Sequence, residues 1–81
     1  LSEQYEAAES TFLDAVRADS ERASLAAAAR AVADAASQFN VEAFKALHAG
    51  SQDAWMPLED LVERTEVLAE LWLDLATAYE V

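Results

Sequence analysis

The sequence has no cysteine and no isoleucine, and its 81 residues include one glycine, one proline and five basic side chains. Without cysteine, neither a disulfide framework nor a thiolate metal site can reinforce so small a domain. A chain of this length buries only about 60% of the surface its unfolded form exposes, so its stability must come from packing, in part between chains. With so few helix breakers, there are few places where a helix must stop. Set against 16 acidic residues, the scarce bases leave a formal net charge of −11. That balance argues against nucleic acid and anionic lipid as partners, because binding a polyanion needs clustered Lys and Arg. No apolar run approaches the roughly 18 residues of a membrane span, and no basic segment followed by an apolar one opens the chain. A cytoplasmic location without a membrane span is expected.

Alanine is what the chain has in excess: 20 residues, beside 24 larger apolar side chains. Alanine and leucine are strong helix formers, so the expected fold is all-α, without strands. A small antiparallel helical hairpin or a three- to four-helix bundle would suit a single domain over residues 1–81, its core completed by oligomerisation. The expected elements are a helical region 2–38, a short helix 41–49, a connection 50–56 and a long helix 57–80.

Ser2 is a candidate N-cap for the first helix, whose apolar stripe is Tyr5, Phe12 and Val16 with Ala8 and Ala15 between them. A second stripe, Leu25, Ala29, Val32, Ala36 and Phe39, is one residue out of register with it. A break near Ser20 therefore competes with one long helix, and the lack of Gly or Pro there favours the long helix. Asn40 reads as the N-cap of the short helix and Gly50 as its C′ residue. Pro57 suits a first helical position, where its missing N–H costs nothing.

From Leu58 onward the spacing is close to heptad, with Leu58, Leu61, Thr65, Leu68, Trp72, Leu75 and Tyr79 filling alternating core positions. Val62, Val67, Ala69, Leu71, Leu73 and Ala76 widen the apolar face beyond what one neighbouring helix can cover. Residues 51–81 hold 13 of the 24 large apolar side chains and carry a net charge of −7, against −4 for residues 1–50. At about 100° per residue, Glu59, Glu63, Glu66, Glu70 and Asp74 fall within a strip of roughly 80°, opposite Trp72. Like charges at this spacing cost a helix about 0.2–0.5 kcal/mol per pair, and only Asp60 with Arg64 compensates in the favourable order. A basic partner surface would turn that repulsion into attraction.

Nothing in the sequence assembles a nucleophile, a base and an orienting group, so no enzymatic activity, cofactor or metal site is expected. His48, the one imidazole, is followed by Ala49, Gly50 and Ser51, not by the Leu, Lys and Gly that follow the histidine of phosphotransfer domains. Glu63 and Glu66 have the spacing of a di-iron Glu-x-x-His pair without the histidine. Trp55-Met56-Pro57 lacks the glycine of the Trp-x-Gly turn in WXG secretion hairpins. Residues 72–79 match the first-helix pattern of a tetratricopeptide repeat only with Ala76 in place of glycine and without a second copy.

The function expected is that of a non-enzymatic interaction or assembly module with an acidic surface. Its candidate contacts are Leu61, Leu68, Leu71, Trp72, Leu75, Tyr79, Trp55 and Met56, and its partner would be a second copy in a homodimer, another helix or a basic protein surface. The alternatives are an amphipathic coat on a hydrophobic granule surface and an acidic mimic that fills a basic cleft.

Overall fold

The computed structural model describes residues 3–49 and 55–81, with the backbone alone for Trp55 and Met56. It is all-α, with no strand among the described residues: α1 spans Glu3–Arg17, α2 spans Arg22–Ala49 and α3 spans Trp55–Glu80. At about 1.5 Å per residue, α2 and α3 are each close to 40 Å long and α1 about 22 Å. The Cα envelope, 47 × 22 × 13 Å, is that of a long α2–α3 hairpin with a shorter helix laid along part of it.

The expected helical region 2–38 is two helices. Ala18 N–H bonds to Asp14 C=O (2.9 Å), Asp19 N–H to Val16 C=O (3.1 Å) and Ser20 N–H to Ala15 C=O (3.1 Å). The last two bonds form a Schellman closure, and Asp19, at φ 54°, holds the left-handed position where glycine is usual. Aspartate is among the few residues that tolerate this conformation, which is how the chain turns without Gly or Pro. The next helix opens with Leu25 N–H bonded to Glu21 C=O (3.0 Å).

The expected short helix 41–49 is instead the second half of α2, which continues through Asn40. Asn40 caps nothing. Its carboxamide donates to Val62 C=O (2.7 Å) and to Thr65 Oγ1 (2.9 Å) on α3. The Thr65 hydroxyl in turn donates back to the Leu61 carbonyl (2.9 Å), so a buried threonine is fully partnered. α3 begins at Trp55, two residues before the expected start, which places Pro57 third in the helix. Its missing N–H still falls within the first turn, where no intrahelical partner exists. The expected cap Ser2, the C′ residue Gly50 and positions 50–54 of the expected connection lie outside the described residues.

The main core cluster is Tyr5, Phe12, Ala29, Val32, Ala36 and Ala76, with Leu68, Trp72, Leu75 and Tyr79 partly buried against it. Alanine dominates the α2 contribution because small side chains let helix axes approach toward the short end of about 8–10 Å. Contacts between α1 and α3 are made by larger groups. The Phe12 ring meets Trp72 edge-on at 5.0 Å and Tyr79 at 6.3 Å, and the Trp72 indole N–H donates to the Tyr5 hydroxyl (2.9 Å). α1 reaches only part of the hairpin: Gln4, Ala7 and Ala8 line a shallow cleft with Ala31, Asp34, Ala35 and Gln38 of α2. The rest of α2 and the first half of α3 pack as a pair.

Candidate interaction surface

The expected contact residues of α3 divide by direction. Trp72 and Tyr79 turn toward α1, where they pack on Phe12, and both are half-buried. Leu61, Leu68 and Leu75 are also half-buried. Leu71, by contrast, is 59% exposed, and Val67, one turn before it, is 54% exposed. Val67, Leu71 and Leu75 follow one another at four-residue intervals, so they form a continuous row along the outer side of α3. The side chains of Trp55 and Met56 lie outside the described residues.

Glu59, Glu63, Glu66, Glu70 and Asp74 are all exposed. Arg64 Nε pairs with Asp60 at 3.0 Å, the i,i+4 compensation anticipated from the spacing. The other described cations near acids are also engaged: Arg17 with Asp14 at 3.3 Å and Arg30 with Glu80 at 2.6 Å. Arg22 donates to the carbonyls of Ala78 (3.5 Å) and Val81, where positive charge complements the C-terminal end of α3. Arg22, Arg30 and Tyr79 line a shallow cleft of about 570 Å³ beside that end.

α1 exposes two aliphatic side chains: Val16, expected in its apolar stripe, is 46% exposed, and Leu13 is 41% exposed. Relative to Phe12, Val16 lies about 40° and Leu13 about 100° around α1 in the sense opposite to Ala8, which faces α2. A helical wheel with Phe12 as its origin would have found both, but only the fold says which side α2 occupies.

Behind this face, in the buried contact between α1 and α3, one group is electrostatically perturbed. Burial pushes the Tyr5 hydroxyl above its ordinary value; the hydrogen bond from Trp72 opposes that shift, and Glu9, which accepts from the hydroxyl and repels its ionised form, reinforces it. His48 stacks edge-on against Phe44 with ring centroids 4.4 Å apart. Among the described residues, no group of three or more acidic or histidine side chains converges in a way that could hold a metal ion, and no helix is long and apolar enough to cross a membrane. Comparison with protein-family models, with curated proteins and with solved structures gives no match.

Proposed function

We propose that the chain is a non-enzymatic helical interaction module that assembles through the outer side of α3. The observation that carries this reading is the row formed by Val67 and Leu71, both more than half exposed, running beside five exposed carboxylates. Isolated exposed apolar side chains are ordinary on a protein surface, whereas a row one helical turn apart is a surface that a second helix can cover. The carboxylates keep that row in water and set the sign of what it meets.

Light scattering across concentration at low and high salt tests the proposal. With the acidic row screened, the unmodified chain is expected to self-associate through its apolar row, and the double substitution Val67→Gln with Leu71→Gln is expected to abolish association without lowering the thermal midpoint. A compact monomer at every concentration and salt, binding no hydrophobic dye, overturns the reading.

A further inference from the structure

The geometry points to one occupant for this surface: an amphipathic helix of another protein, with a leucine-type stripe and Lys or Arg on both shoulders, lying in the trough between α1 and α3 as a fourth helix. The inference rests on the module reading above and specifies its partner.

The trough follows from how unequally the three helices approach one another. Alanines line the contacts of α2, while bulky rings separate α1 from α3. At about 100° per residue, the exposed Leu13 and Val16 of α1 fall on the side of Phe12 away from Ala8, and the exposed Val67 and Leu71 of α3 fall on the side of Trp72 away from the buried Ala76, with the half-buried Leu68 and Leu75 between. Because Phe12 meets Trp72 and Tyr79, Leu13 and Val16 sit further toward the end of α3 than Val67 and Leu71, and a helix laid along the seam as the fourth of a bundle would cross first one pair and then the other.

Charge decides what kind of helix fits. The α1 bank carries Glu6 and Glu9, and beyond Leu71 the α3 bank carries Asp74 and Glu70. A second copy is a poor occupant. Two-fold antiparallel pairing sets each flank of a helix against the same flank of its mate, so the acidic row would face itself at a cost that low salt enlarges. Nor can the chain offer basic shoulders elsewhere, since its five bases are spread over three helices and Arg17, Arg30 and Arg64 already pair with its own acids. An apolar helix with basic shoulders gains on both counts: area is buried and the carboxylate repulsion is relieved.

Fluorescence anisotropy tests this with labelled synthetic helical peptides of about 18 residues, long enough to span the trough. The first has a Leu stripe with Lys and Arg shoulders, the second has Glu shoulders, and the third has basic shoulders with Ser in place of Leu. The first peptide is expected to bind, more weakly as salt rises, and at least tenfold more tightly than either of the others. Leu71→Ser, at an exposed position, is expected to weaken it about tenfold with an unchanged thermal midpoint, and Asp74→Lys with Glu70→Lys to shift preference toward the Glu-shouldered peptide. Equal binding of the Ser peptide, or indifference to Leu71→Ser, overturns the inference in favour of bare charge attraction. If the first peptide does not bind while the chain still self-associates at high salt through Val67 and Leu71, this inference falls and the module reading stands. If neither occurs, both fall.

Discussion

The half of the molecule where three helices meet and the half where two run alone are stabilised by different chemistry. In the first, Phe12, Tyr5, Trp72 and Tyr79 fill the space between α1 and the hairpin, and Val32, Ala29 and Ala36 are buried beneath them. In the second, the described buried side chains are Ala43, Leu47 and Thr65, while Phe44 on α2 stays 50% exposed. A pair of helices cannot fully enclose a large ring between them, so among the described residues that half relies on Leu47, on smaller side chains and on the tie from Asn40 to Val62 and Thr65. A third helix is what turns aromatic bulk into core.

The sharpest way to break this contrast is to remove one ring from each half. Phe12→Ala is expected to cost about 3–5 kcal/mol, the range for a buried aromatic, and to release α1. Phe44→Ala, at a half-exposed ring, is expected to cost under about 1 kcal/mol. Urea denaturation followed by circular dichroism reads both, and comparable losses would mean that the two halves share one core. Next in size is Asn40→Ala, which leaves the Val62 carbonyl without its cross-helix donor and is expected to cost about 1–3 kcal/mol. Hydrogen exchange should show that loss concentrated in residues 40–49 and 57–65. A uniform loss of protection would sink the division into halves.

Below that comes Tyr5→Phe, which deprives the Trp72 indole N–H of its acceptor and is expected to cost about 1 kcal/mol near neutral pH. The same substitution has a pH signature. Because burial raises the Tyr5 hydroxyl above its ordinary value, the stability gained by keeping it neutral is fully present below about pH 10. It is lost as pH climbs through the raised folded-state value. Alkaline titration of the unfolding midpoint should therefore fall more steeply for the unmodified chain than for Tyr5→Phe, and parallel curves would remove Tyr5 from the alkaline response.

Much of α3 was legible in the sequence, because a heptad pattern without Gly interruption has one helical solution and the carboxylate spacing fixes a common face. The pairing of Asp60 with Arg64 was legible for the same reason. The turn after α1 was not, since aspartate took the left-handed position that a reader looks for under glycine. Asn40 misled because the short amide that makes a good helix cap serves equally well as a cross-helix donor, and only the presence of α3 beside it decides which. The Tyr5–Trp72 bond joins residues 67 positions apart, and no local pattern announces it. On the candidate surface, the acidic row could be read from spacing. The trough could not, because it depends on how far Phe12 holds α1 from α3.

The alanine seam of α2 has a mechanical side. Smooth helices interlock poorly, so little in their shape stops one from sliding a full turn, about 5.4 Å, past the other. Two polar clasps fix the longitudinal register instead: Asn40 on Val62 and Thr65, and Arg30 on Glu80, separated by ten residues of α2, or about 15 Å. A one-turn slip would break both together, which makes them a two-point latch on a pair of otherwise slippery rods.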